Sequence, residues 1–516
     1  MNTPPKPPLN KAHVIARNSF WYGIELAYSL LGALLTSILV ARAIGPVKLS
    51  YFNFVVYLTN TTAALSGFGI QTMARKYMAE YLNRGDRDVA RAIYLAALRI
   101  QIWTASGATA VGLALVYWFG EAGYHVIEAL LVLNVGPRMI GFIPSQANNA
   151  DEAMKRNTGP AILGGVVTTV VTLVSLAVGW GLTGVAAATM LGPVLETALK
   201  LRSVERWLGS VAPAPIPAEL KGRMKKFSGE SIALMILNAV VWDRSDIFFL
   251  KLLNHDPRQI TFFSMAFNLT ERLLMMPSVF AQSVAATMMA QYGRGKEELR
   301  RLTITSARYS FLMCLPLLAG MACISGPLVA LAYGPAYIPM GRVLAIVSLM
   351  AIPKALMASP SSLLQAMERQ RQLILWGCVG GAIDFTLDFL LVPTHGAQGA
   401  ALANGIGQAV AAFGIWFSAW QAGRLDLQFG GFARIAGAGV AMAAAVVGVR
   451  RLLPGYAGLA LAVAVGALVW MIALRVSRAL DRVDASRLLA VGKVFPARLR
   501  PFWTRVVGLV ASPQAT

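Results

Sequence analysis

The sequence predicts an all-α polytopic membrane protein of about 14 transmembrane helices, built as two parallel six-helix lobes followed by a C-terminal helix pair. Three observations lead there. The 516 residues are 56% hydrophobic and only 14% charged, with mean hydropathy +0.59, whereas soluble domains carry about 25% charged residues. Apolar stretches long enough to cross a bilayer recur along most of the chain. The first six of them also return, in order, as the next six.

Residues 1–17 are Pro-rich and basic, lack the cleavage pattern of a secretory signal, and are expected to stay on the cytoplasmic side. Spans are predicted at about 18–43, 50–73, 92–119, 126–149, 158–180 and 183–207, which form the N-terminal lobe (18–207). A basic, Pro-containing cytoplasmic linker, 208–226, joins it to the C-terminal lobe (227–421), with spans at 227–253, 260–289, 302–332, 341–366, 372–392 and 398–421. Spans thirteen and fourteen, 432–451 and 456–476, lie outside the repeat, and 477–516 reads as a basic amphipathic tail at the cytoplasmic leaflet.

The repeat rests on three matches. Gly85 closes a motif that returns at Gly295, Pro137-Arg138 with Pro144-Ser145 returns as Pro353-Lys354 with Pro360-Ser361, and the small-residue run at Gly184 returns at Gly399. The displacements are 210, 216 and 215 residues. An even number of spans per copy gives both lobes the same orientation, with a cavity expected between them.

The net charge of +22 follows topology. With both termini on one side, about 33 of the 46 Lys and Arg fall on that side, which the positive-inside rule makes cytoplasmic. Arg450 and Arg451 are a local violation. The partner implied by the basic balance is anionic membrane lipid, not nucleic acid. The four histidines share no ligand spacing, Cys314, Cys323 and Cys378 all lie in apolar spans, and there is no phosphate-cradling loop. The chain therefore reads as a non-enzyme with no metal centre and no cofactor.

Charges inside spans carry the functional expectation. Asp243, Arg244 and Asp246 sit mid-span in the seventh segment, and Glu271-Arg272 in the eighth. Each such charge costs roughly 2.5–3.5 kcal/mol on insertion scales, so the cluster must face protein or a water-filled cavity. Such a cluster marks the polar centre of a transporter, or else an ion pair that only orients two helices. Asp384 and Asp388, four apart, share a face of span eleven, as Asp243 and Asp246 share a face of span seven. The C-terminal lobe thus sets five acids, with Glu271, against Arg244, Arg272 and Lys354; the N-terminal lobe balances Glu25 with Arg138. Uncompensated carboxylates in low dielectric require protons or a bound cation, so Asp243, Asp246, Glu271, Asp384 and Asp388 are the ion-coupling candidates, with Na+ or H+ as the coupling ion. Arg138, Lys354, Arg244 and Arg272 are the candidate cavity bases for an anionic substrate.

Val40-Ala41-Arg42-Ala43-Ile44-Gly45-Pro46, then Arg84-Gly85-Asp86, and His395-Gly396-Ala397-Gln398-Gly399-Ala400-Ala401 resemble the bacterial polysaccharide exporters of the oligosaccharidyl-lipid flippase type, over about residues 15–425. The resemblance implies a V-shaped, two-lobed transporter of the bacterial inner membrane. Its cargo would be an undecaprenyl-pyrophosphate-linked oligosaccharide for lipopolysaccharide, capsule or exopolysaccharide, handed on to a polysaccharide polymerase and other assembly proteins. Lipid II flippases, similar in span count, imply a cation site on spans seven, eleven and twelve, which here points to Asp243 or Asp246, Asp384 and Asp388, with Asn404 a further cavity residue. The chain departs from the familiar pattern at Asn254-His255-Asp256-Pro257. A multidrug–cation antiporter of the same superfamily and a membrane glycosyltransferase or polymerase are the alternatives.

Overall fold

The computed structural model describes residues 11–480 except 68, 120, 122, 238–244, 292–295, 368 and 426–428, and scattered positions from 484 to 508; side chains are left out for most of 11–30 and 230–237 and all of 276–291. The described chain is helical: Lys11–Ile44 (α1), Pro46–Leu65 (α2), Ile70–Arg84 (α3), Arg87–Phe119 (α4), His125–Leu133 (α5), Val135–Ala150 (α6), Lys155–Ala177 (α7), Gly181–Leu208 (α8), Ala218–Leu237 (α9), Asp246–Leu253 (α10), Arg258–Gln291 (α11), Lys296–Tyr333 (α12), Met340–Ala366 (α13), Gln370–His395 (α14), Ala397–Gly423 (α15), Phe429–Leu452 (α16) and Tyr456–Val476 (α17). Among the described residues, ten helices are long and apolar enough to cross a membrane.

Most predicted spans map onto one helix each, and three do not. The second breaks at Ser66-Gly67, where α2 ends, and the chain restarts as α3, whose Arg75, Lys76, Glu80 and Arg84 make it amphipathic. Hydropathy averages across such a turn. The fourth is interrupted at Asn134, just before Pro137, because a proline has no N–H to donate to the carbonyl four residues back. Its repeat partner α13 runs unbroken through Pro353 and Pro360, so the interruption appears in one copy only. The seventh is represented by α9 and α10, with 238–244 outside the described residues.

The chain divides into two compact units, Met1–Ser245 and Asp246–Thr516, and the division falls within the predicted seventh span, C-terminal to the 208–226 linker. In the first unit Met73 and Tyr77 of α3, Ile93 of α4, Ile143 of α6, Leu208 of α8 and Leu220 of α9 form one buried cluster. The linker is tied to it: Arg91 donates to the carbonyls of Gly209 and Val211, capping the end of α8, and Arg223 pairs with Glu80 at 3.1 Å. In the second unit Phe311, Cys314 and Leu318 of α12 pack against Ile435, Ala438 and Met442 of α16 and Ala462 of α17. The helix pair outside the repeat is thereby seated on α12. Tail residue Asp484 is buried and accepts from Arg308 and from the Tyr309 hydroxyl at 2.5 Å. Arg308 is thereby held in an ion pair, while Arg99, 209 residues before it, is exposed.

Both units use one device to bring neighbouring helices together. A Cβ at Gly164 would lie 2.8 Å from the Gly192 carbonyl oxygen, and one at Gly380 would lie 2.6 Å from that of Gly407. Close backbone approach of this kind is how membrane helices associate without a hydrophobic driving force. The two glycine pairs are displaced by 216 and 215 residues, the register of the sequence repeat.

Candidate functional site

The glycine contact between α14 and α15 sets the position of the second unit's acidic cluster. A Cβ at Gly407 would also come within 2.9 Å of the Asp384 Cβ, so Asp384 and, one turn on, Asp388 are pressed toward α15. Asp246 opens α10, where a helix N-terminus favours negative charge. Carboxylate oxygens of Asp246, Asp384 and Asp388 lie within 4.8 Å of one another, and all three residues are buried. Asn404 Nδ2 donates to Asp246 Oδ2 at 3.1 Å, and Gln408 Nε2 donates to Asn404 Oδ1 at 2.9 Å. Asp246 Oδ1 and both carboxylate oxygens of Asp384 and Asp388 accept no hydrogen bond among the described residues. At 4.8 Å and an effective dielectric of about 20, each pair of ionised carboxylates repels by about 3.5 kcal/mol. The fold concentrates carboxylate oxygen and, among the described residues, gives only Asp246 Oδ2 a donor.

The corresponding place in the first unit is neutral. Thr168 and Thr172 stand 216 residues before Asp384 and Asp388. A Cβ at Gly192 would meet Thr168 Oγ1, just as one at Gly407 would meet Asp384. The same helix contact is therefore built once with hydroxyls and once with carboxylates. The glycine contact itself does not require a carboxylate.

The bases behind the repeated prolines follow the same asymmetry. Arg138 of α6 is exposed and donates to Asn60 Oδ1 on α2, a neutral partner. Lys354 of α13 donates to Glu271 Oε1 on α11 at 2.8 Å and lies 5.5 Å from the Phe267 ring centroid. Glu271 thus pairs with Lys354 rather than with the three aspartates, and Lys354 makes no ion pair with that cluster among the described residues. Arg272 is half-buried on α11. Asp243 and Arg244 lie outside the described residues, as does the side chain of Glu25. A small pocket in the second unit is lined by Phe267, Thr270, Glu271, Met350, Asn404 and Gln408 among others. Gln408 was not among the expected site residues, although its spacing of four from Asn404 on an apolar helix is a legible signal.

Residues 39–342 match the family described as polysaccharide biosynthesis protein. The chain belongs to this family. No curated protein sequence matches it. Among solved structures, the lipid II flippase MurJ in an inward closed conformation superposes with a TM-score of 0.69 at 13% identity, covering 88% of this chain and 98% of that one. An inward-facing multidrug resistance MATE family transporter of the MOP superfamily gives 0.63 at 15% identity, with 77% and 94% covered. A MOP-superfamily transporter from Pyrococcus furiosus gives 0.55 at 14% identity, with 80% and 94% covered. At these identities the likeness shows the fold: this family member is an all-α multi-pass membrane protein with the architecture shared by MATE transporters and MurJ.

Proposed function

We propose that the chain is a flippase that carries an undecaprenyl-pyrophosphate-linked oligosaccharide from the cytoplasmic to the periplasmic leaflet of a bacterial inner membrane. Its termini then lie in the cytoplasm, and its product feeds lipopolysaccharide, capsule or exopolysaccharide assembly. Membership of a polysaccharide biosynthesis family and a fold shared with MurJ support the cargo class. The single observation that carries the driving mechanism is the cluster of Asp246, Asp384 and Asp388, buried and without a salt bridge among the described residues. An all-oxygen, anionic donor set of this kind suits a hard cation, and Na+ or H+ entering it is the coupling ion. Without a bound cation, Arg138, whose described hydrogen-bond partner is a neutral amide, is the base best placed to engage pyrophosphate, and Lys354 is neutralised by Glu271.

A multidrug–cation antiporter is the second reading, favoured by the likeness to MATE transporters. The test is reconstitution of the purified chain in vesicles with a fluorescent undecaprenyl-pyrophosphate-linked glycan, whose sugar is oxidised by external periodate. Protein-dependent movement of the glycan between leaflets supports the flippase. Transport of an organic cation without movement of the glycan supports the antiporter, and lengthening of the glycan by the purified protein alone would make it an enzyme.

A further inference from the structure

Asp246, Asn404 and Gln408 form a chain of hydrogen bonds whose direction is fixed at one end. When Asp246 is ionised its carboxylate only accepts, so Asn404 turns its amide N–H2 to Asp246 and its carbonyl to Gln408, and Gln408 donates in turn, as the described bonds run. Gln408 then has its own carbonyl left over, and it lines the same pocket as Glu271. Asn404 and Gln408 are 6% and 5% exposed, so water cannot readily replace either bond.

A cation among the three aspartates attracts the Asn404 carbonyl instead of its N–H2. The amide turns over, its N–H2 now needs an acceptor, and the Gln408 carbonyl supplies one. That turn delivers the Gln408 N–H2 to the pocket wall that carries the Glu271 carboxylate, where it competes with the Lys354 ammonium now bonded 2.8 Å away. Resting on the cation reading above, we propose that Asn404 and Gln408 are a two-amide relay through which a bound cation releases Lys354 from Glu271 to take an anionic ligand. Gln408 is in this sense a positioning residue. It touches neither the aspartates nor the ligand's charge, and it transmits the state of one to the other. Because the coupling is reciprocal, an anion held by Lys354 must tighten cation binding by the same factor.

The experiment uses the full-length protein in nanodiscs, binding of radioactive Na+, and inorganic pyrophosphate as the anionic probe. The readout is the ratio of Na+ dissociation constants without and with saturating pyrophosphate. Wild type is expected to show a ratio of at least about 5, the lower end of usual allosteric coupling. Gln408→Met, close in length but without donor or acceptor, is expected to bring the ratio to about 1, whatever the absolute affinities become. Gln408→Glu, an acceptor that cannot reverse, is expected to do the same. A ratio in both variants equal to wild type overturns the relay and leaves the cation reading intact, as does a wild-type ratio of 1 with normal Na+ binding. Absence of Na+ binding in wild type overturns sodium as the bound ion, and the relay with it.

Discussion

Replacing Asp384 by Thr tests whether the acidic cluster is functional or structural, and the molecule supplies its own precedent. Thr168 occupies the equivalent place against Gly192 in the first unit, so a threonine fits against Gly407 with the helix contact preserved. The substitution removes one member of a triad whose carboxylate oxygens lie within 4.8 Å, and with it two repulsions of about 3.5 kcal/mol each when all three are ionised. Without sodium, Asp384→Thr should therefore be at least as stable as wild type. With sodium the order changes. A cation at 100 times its dissociation constant stabilises the native state by about 2.7 kcal/mol, and the variant should lose most of that gain. The assay is thermal unfolding of detergent-purified protein in sodium chloride and in choline chloride at equal ionic strength. A variant that unfolds would show that the carboxylates serve the packing, a variant with an undiminished sodium response would take Asp384 out of the ion site, and a wild type insensitive to sodium would exclude sodium as the bound ion.

In sodium-free buffer Arg138→Ala should weaken pyrophosphate binding more than Lys354→Ala, since Asn60 leaves the Arg138 charge in place while Glu271 offsets that of Lys354; equal losses at normal membrane levels would contradict the ranking. Gly407→Ala should destabilise by about 1–3 kcal/mol, because its methyl group would lie 2.7 Å from the Gly380 carbonyl oxygen, and a denaturation midpoint unchanged from wild type would refute that contact. In the turn between α10 and α11, burial alone would raise the Asp256 carboxyl, but hydrogen bonds from Arg258 and Gln259 outweigh it and hold it below its usual value. A depressed carboxyl contributes stability above its unfolded value, about 3.9, that is lost as pH falls through the lower folded value. Asp256→Asn should accordingly flatten the fall in melting temperature below about pH 4, and a curve parallel to wild type would count against this assignment.

Much of this organisation was legible from residue order. Gly85, Pro137, Gly184 and their partners mark the duplication, and the glycine pairs at 164/192 and 380/407 confirm its register in three dimensions. Mid-span Asp384 and Asp388 stood out because four-residue spacing puts them on one face. What could not be read was which acids converge. Asp246 joins them, but Glu271 turns to Lys354, and partner choice depends on helix rotation that periodicity does not fix. The break in the second span was hidden because hydropathy sees composition and not the turn at Ser66-Gly67. Asp484 lies in the stretch that reads as an amphipathic tail, and its pairing with Arg308 and Tyr309 depends on tertiary packing that residue order does not show. The turn at Asn254-His255-Asp256-Pro257, which departed from the resemblance, is stabilised locally: Asn254 Oδ1 accepts from the Asp256 N–H at 2.9 Å and Asp256 Oδ1 from the Arg258 N–H at 3.0 Å.

The most direct test of cation coupling is glycan-lipid translocation in vesicles on which sodium and pH gradients are imposed separately, for wild type and Asp384→Asn. Asn keeps the shape of the side chain and removes only its charge. Wild-type translocation should accelerate under one of the two gradients, and Asp384→Asn, present at the same level, should ignore both. Equal rates for the two proteins under every gradient would contradict the account: Asp246, Asp384 and Asp388 would then be structural, and the driving force would lie elsewhere.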